Sequence, residues 1–132
     1  RKLKRDIPRV RALMKQYYEQ GAGLIFFPEA TSTQGAEVIP FKPSLLDLPA
    51  SEEIPVHSAV ISYATPENSP PAHQAVCWWG EMEFAPHISD LLRLPRFNAK
   101  VTFLDKSLTG NDRKTLAAEL HQKISSNFSA IQ

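Results

Sequence analysis

A chain of 132 residues, 42% hydrophobic and 22% charged, has the composition of a compact globular domain, which excludes fibrous, low-complexity and disordered classes. Its one cysteine, Cys77, excludes an internal disulfide and so a disulfide-stapled secreted scaffold, favouring a reduced compartment. The net charge of +1 hides an asymmetry: residues 1–15 carry seven bases (Arg1, Lys2, Lys4, Arg5, Arg9, Arg11, Lys15) against Asp6, and the rest carries eight bases and thirteen acids. Such a block fits either a solvated helix face or local contact with a phosphate, a lipid head group or nucleic acid.

In chain order, Asp6 is the expected N-cap of a first helix with Pro8 in its first turn. Ile7, Val10, Leu13, Met14 and Tyr17 recur at helical spacing, and Gly21 supplies the stop. Leu24-Ile25-Phe26-Phe27, between Gly23 and Pro28, is a continuous apolar run of the kind seen in a strand buried on both faces. Residues 28–37 form a polar loop, Val38 to Phe41 a short extended piece, and Ser44 to Leu48 one helical turn closed by Pro49. Val56 to Tyr63 is β-rich and reads as a second buried strand. Residues 64–73, with three prolines, read as an exposed loop. Ala75 to Trp79 is a third strand candidate, Pro86 to Leu94 a short helix and Ala99 to Leu104 a fourth strand. Asn111 or Asp112 then caps a final helix with Leu116, Leu120, Ile124, Phe128 and Ile131 on one face. Alternating helices and strands predict an α/β fold, with a mixed and mostly buried sheet flanked by helices. With no repeat and no linker, residues 1–132 read as a single domain or a fragment of one.

No apolar run approaches the ~20 residues that span a bilayer. The basic start lacks the apolar stretch of a signal peptide. The chain begins with Arg1 rather than Met, so a piece of a longer protein is expected.

Common catalytic signatures are absent. No GK[ST] phosphate loop, GxGxxG turn or GxSxG elbow occurs. His57, His73, His87 and His121 lie at least fourteen residues apart, so no pair has the helical spacing of metal ligands and no metal is expected. Cys77 beside Trp78 and Trp79 reads as a buried apolar thiol rather than a nucleophile. Stacking of RNA bases on the two tryptophans is the other reading of that pair. Adjacent strand residues face opposite ways, however, which favours packing for at least one of them.

The chemistry-bearing stretch is residues 24–46. An apolar strand ends at Pro28 and Glu29 follows at once, with Thr31, Ser32 and Thr33 beyond. In open α/β sheets the ligand crevice lies at the carboxyl ends of strands. A carboxylate ringed by hydroxyls there would accept hydrogen bonds from a polyol or an amine. The alternative is that these side chains cap backbone amides and order the loop.

Phe27-Pro28-Glu29-Ala30-Thr31-Ser32, then Gly35 and Pro40-Phe41-Lys42, resembles the FPEGTRS…G…PFK block of the glycerolipid acyltransferases. These are the 1-acylglycerol-3-phosphate (lysophosphatidic acid) acyltransferases and their relatives. Ile54-Pro55-Val56 with Ala59-Val60-Ile61, Trp79-Gly80, Pro86-His87 and the final helix are similar to later parts of that family. The likeness covers nearly the whole chain, and the Phe-Pro-Glu-x-Thr block is its specific part. It implies transfer of a fatty acyl group from acyl-CoA or acyl-carrier protein to a lysolipid hydroxyl. No other cofactor is implied. Pro28, Glu29, Thr31 and Ser32 would bind the acceptor, and Arg1 would end a preceding block that carries an arginine near it.

The family's base is the histidine of an HxxxxD motif, its imidazole taking the hydroxyl proton while the aspartate orients the ring. Ser62, Trp78, Leu92 and Ser126 stand five residues after the four histidines, so the catalytic pair is expected upstream. The chain then reads as the C-terminal part of the α/β domain of an acyltransferase, inactive alone. Ala30 replaces the family's glycine and Ser32 its arginine. The arginine is the natural bidentate phosphate partner, so its loss weighs against a glycerol-3-phosphate-type acceptor. The Thr-Ser-Thr variant is similar to relatives acting on lysolipids such as lyso-ornithine lipid. Residues 1–15 could still contact phosphate, which leaves the acceptor open. Expected partners are the lysolipid, the acyl thioester and a membrane surface at its cytoplasmic face. Arg93 and Arg96 form a second basic cluster, read as solvated rim charges with membrane contact as the alternative. The competing class is a non-enzymatic α/β module that binds anionic lipid. Nucleic acid is not expected, because the acidic body opposes phosphate neutralisation.

Overall fold

A computed structural model describes residues 3–131. In chain order the elements are α1 (Leu3–Glu19), a 3-10 turn (Pro43–Leu46), α2 (Asp47–Ser51), β1 (Ala59–Ala64), α3 (Ala72–Ala75), α4 (Phe84–Arg93), β2 (Asn98–Phe103) and α5 (Arg113–Ser125). The class is α/β, as expected. The described residues divide into two compact units. One gathers the residues up to Ala30 with Pro40–His57 and Lys106–Gln122, and the other gathers Thr31–Ile39, Ser58–Asp105 and the residues from Lys123 on.

In the first unit α1 starts before the expected cap. Asp6 lies within its first turn and Pro8 inside the helix, where the imide removes one ladder hydrogen bond. The end is where the sequence puts it. Ala22 donates to the Tyr17 carbonyl at 3.0 Å and Gly21 to that of Tyr18 at 2.9 Å, with Gly21 at φ +80°. This is the paired closure in which a glycine takes the left-handed position. The half-buried positions of α1 are Ile7, Arg11, Met14 and Lys15, one stripe at helical spacing, whereas Leu13 and Tyr17 are exposed. α1 packs on α2 and the 3-10 turn. Pro49 does not close that segment but sits inside α2, early enough that its missing N–H has no ladder partner to lose. The core of this unit is Phe41, Leu46, Leu48, Ala50, Leu116, Ala117 and Leu120, all buried. Asp112 caps α5: its carboxylate accepts from the Thr115 N–H at 2.8 Å and the Lys114 N–H at 3.1 Å.

In the second unit β1 and β2 pair antiparallel from Ala59↔Phe103 to Ala64↔Asn98. Two of the four expected strands therefore form, each within a few residues of its predicted place. The expected burial of the sheet is found at Val60 of β1, while β2 is exposed along its length. A two-stranded ribbon has only two faces, and α3 packs on β1, leaving β2 without a covering layer. Ala72, Ala75 and Cys77 are buried with Val60 as this unit's apolar core.

The other two strand candidates are corrected. Leu24 to Phe27 joins no ladder among the described residues. Leu24 and Phe26 are half-buried while Ile25 and Phe27 are 90% and 69% exposed. That alternation is the period of extended chain, but a strand buried on both faces needs neighbours on two edges, and this segment has none here. Ala75 to Trp79 instead begins as the last residue of α3. Pro71 holds the extended conformation at its N-cap, so a helical turn starts inside what reads as a Pro-rich loop, and Ala72 is fully buried.

Candidate functional site

The Phe27–Ala30 segment is a tight turn in the first unit. The Ala30 N–H donates to the Phe27 carbonyl at 3.1 Å, and the Lys42 N–H donates to the Pro28 carbonyl at 2.8 Å. This second bond ties the Pro-Glu turn to the Pro40-Phe41-Lys42 segment, so the two halves of the recognised block meet in space. Ala30 sits at φ +58°, the left-handed region that a Cβ disfavours. A glycine at this position of the family pattern answers to that geometry. Pro28 and Glu29 are half-buried.

Thr31 and Ser32 belong to the second unit and are exposed. The Thr31 hydroxyl reaches the Ser32 carbonyl at 3.5 Å. The Thr33 hydroxyl accepts from the Gly35 N–H at 3.2 Å, which is the loop-ordering role weighed for these side chains. Gly35 is buried at φ +76° with Ile131 against it; an added Cβ would stand 2.5 Å from Ile131 Cδ1. Ser32, Thr33, Glu37 and Trp79 line a cavity of about 290 Å³ in that unit. Trp79 Nε1 donates to the His73 carbonyl at 3.1 Å and Trp78 Nε1 to that of Met82 at 2.8 Å. Trp78 is exposed and stands edge-on to Phe84 at 5.6 Å. Arg1 lies outside the described residues.

A second cavity, of about 320 Å³, opens in the first unit. Its apolar wall comes from α1 (Ile7, Val10, Met14) and from Leu45 and Leu48, and Ala30 of the turn completes it. Asp6, Arg11 and Lys42 bring charge to it. In the sequence Asp6 has the place of a cap and Lys42 belongs to the Pro-Phe-Lys pattern, and nothing in their spacing, 36 residues apart, announces a shared groove.

Two bases of α1, Arg11 and Lys15, are engaged by neighbouring side chains. Arg11 Nε lies 2.9 Å from Asp47 Oδ2 and its Nη2 donates to Ser51 Oγ at 2.9 Å. Arg113 reaches the other Asp47 oxygen at 2.8 Å. Lys15 Nζ donates to Glu52 Oε1 at 2.7 Å. The hydrogen bond, and then the opposite charge, hold the Lys15 ammonium above its ordinary pKa and the Glu52 carboxyl below its own.

Of the histidines, His121 packs edge-on to Phe41 at 5.3 Å and His57 is exposed. Among the described residues no three His, Cys, Asp or Glu side chains gather as metal ligands would. No described helix is long and apolar enough to cross a membrane.

Comparison with known proteins bears on the same block. Over 131 residues, 94% of this chain, the sequence is 30% identical to the lyso-ornithine lipid O-acyltransferase of Rhodobacter capsulatus. The chain is thus similar to a lysolipid acyltransferase. The alignment covers 47% of the bacterial enzyme, so the chain spans about half the length of the curated relative it matches. No protein-family model matches the chain, and no solved structure matches it. The alignment extends far beyond the Phe-Pro-Glu-x-Thr block, into both compact units.

Proposed function

We propose that this chain is the acceptor-binding, C-terminal part of an acyltransferase domain that esterifies a lysolipid hydroxyl with a fatty acyl group from acyl-CoA or acyl-carrier protein. The observation that carries the reading is the 30% identity over 94% of the chain to a named lysolipid O-acyltransferase. In this reading Glu29, beside Pro28, accepts hydrogen bonds from the acceptor. The base and its orienting carboxylate come from sequence preceding Arg1, so the 132 residues alone are inactive. The whole protein works at the cytoplasmic face of a membrane, where its lysolipid acceptor is presented. Replacement of the family's arginine by Ser32 favours a lyso-ornithine-type acceptor over lysophosphatidate.

Turnover of both lysolipids by the protein of the full parent gene tests this. Preference for lyso-ornithine lipid, loss of rate in Glu29→Gln by about tenfold or more, and silence of the 132-residue chain are expected; removing one hydrogen bond to a charged group costs roughly 1.5–3 kcal/mol. Strong preference for lysophosphatidate would count against the reading of Ser32. Robust turnover by the 132 residues would place the base inside them.

The competing reading, a module that only docks on anionic lipid, draws on the basic block. Arg11 and Lys15 are engaged by Asp47, Ser51 and Glu52, which leaves fewer free cations on α1 than the sequence suggests.

A further inference from the structure

The groove between α1 and the Pro43–Leu46 turn holds two charges of opposite sign, Asp6 and Lys42. Arg11 contributes to its lining but is engaged by Asp47 and Ser51. Asp6 and Lys42 line the same groove, both exposed. Neither side chain makes an ion pair or hydrogen bond among the described residues. Ile7, Val10, Met14, Leu45 and Leu48 give the groove its apolar lining. Leu48 is 2% exposed, a buried leucine beneath the groove.

Such a surface selects by charge as well as by apolar contact. A singly anionic head group gains from Lys42 and is repelled by Asp6. A singly cationic one meets the reverse. A head group with an ammonium and a carboxylate satisfies both side chains at once, while the adjoining methylenes cover the Ile7–Met14 stripe. The volume of about 320 Å³ is at the small end for ligand pockets, roughly 300–1,000 Å³. It suits a head group and the start of an acyl chain rather than a whole lipid. Ala30 lines the groove and belongs to the Phe27–Ala30 turn, which places the groove beside the recognised block.

We infer that this groove is the head-group subsite for a zwitterionic, amino-acid-type lysolipid, with Asp6 taking the ammonium and Lys42 the carboxylate. The inference rests on the acceptor-binding reading and deepens it, because it assigns selectivity to two residues outside the Pro28–Ser32 block.

Binding of two short-chain probes below their micelle concentrations, a lyso-ornithine lipid and a lysophosphatidate, to the 132-residue chain and its variants tests it. Circular dichroism checks that each variant is folded. Asp6→Asn is expected to weaken the zwitterionic probe about fivefold and to strengthen lysophosphatidate, because it removes an attraction for one and a repulsion for the other. Lys42→Gln is expected to weaken both. Asp6→Asn shifting both probes in the same direction, or neither variant shifting either probe, overturns the subsite while leaving the acceptor-binding reading in place. Absence of binding by either probe to the unaltered chain overturns both.

Discussion

Ala30 and Gly35 put the same backbone demand on different side chains. Ala30 is held at φ +58° by the turn that carries Glu29. An L-residue in that region costs roughly 1–2 kcal/mol, offset in part by the greater entropy glycine loses on folding, about 0.5–1 kcal/mol. Ala30→Gly is therefore expected to stabilise the chain by about 0.5–1 kcal/mol in urea unfolding, restoring the glycine of the family pattern. Gly35→Ala acts oppositely. It adds a methyl at φ +76° where Ile131 already stands 2.5 to 3.1 Å away, and Ile131 is fixed there by its N–H bond to the Gly35 carbonyl at 2.8 Å. Left-handed strain of ~1–2 kcal/mol and overpacking of ~1–3 kcal/mol combine, so the variant should unfold at clearly lower urea. A neutral Gly35→Ala would show that Ile131 swings away freely. Cys77 is 8% exposed and burial pushes its thiol above the ordinary pKa. The thiolate is the reactive form, so labelling by a disulfide reagent at pH 8 should be slow in the folded chain and fast in urea. Equal rates would mean an open thiol.

At the scale of elements, α5 has the clearest single support. Asp112 accepts three hydrogen bonds, from two backbone N–H groups and the Thr115 hydroxyl. These bonds hold its carboxyl below the ordinary value of 3.8, the Thr115 backbone bond contributing most. A carboxyl whose folded pKa is depressed stabilises fully above its unfolded pKa and loses that contribution as pH falls through the folded one. The cap should therefore weaken below about pH 4. Asp112→Asn keeps the capping geometry and loses the charge, so its stability should depend less on pH in that window. Asp112→Ala should lose stability at neutral pH as well. A wild-type and Asp112→Asn pair with the same acid transition would remove Asp112 from the acid response. This cap was legible because its signal is local: an Asp followed by a helix-period apolar face. Gly21 as the stop of α1 was legible for the same reason. The unpaired state of Leu24 to Phe27 was not, because a continuous apolar run reports that the segment seeks burial and leaves open which edges are there to receive it. Ala72 misled in the opposite sense: the prolines before it mark a loop, yet Pro71 is also a good residue to begin a helical turn. The groove on α1 was the least legible, since Asp6 and Lys42 are joined only by the fold.

Across the whole chain the large buried side chains are unevenly shared. Phe41, Leu46, Leu48, Leu116 and Leu120 all belong to the first unit, whereas the apolar core of the second is Val60, Ala72, Ala75 and Cys77. A fully buried Leu or Phe contributes roughly 1.5–3 kcal/mol by leaving water, so five of them against one Val and three small residues is a difference of several kcal/mol in burial. Stability should then be graded along the sequence, with the second unit opening at lower free energy than the first. Hydrogen exchange under native conditions reads this directly. Amides of α5 from Ala117 to Leu120 should exchange slowest, and those in the β1–β2 ladder should exchange sooner. Leu116→Ala, at a site with no exposure, should cost about 2–5 kcal/mol and speed the slow class. Phe27→Ser, at a ring 69% exposed, should change little, within about 0.5 kcal/mol as at other surface sites. A core-sized loss at Phe27 would mean that the apolar run is covered in solution, and a ladder as protected as α5 would mean that the second unit draws stability from more than its own small core.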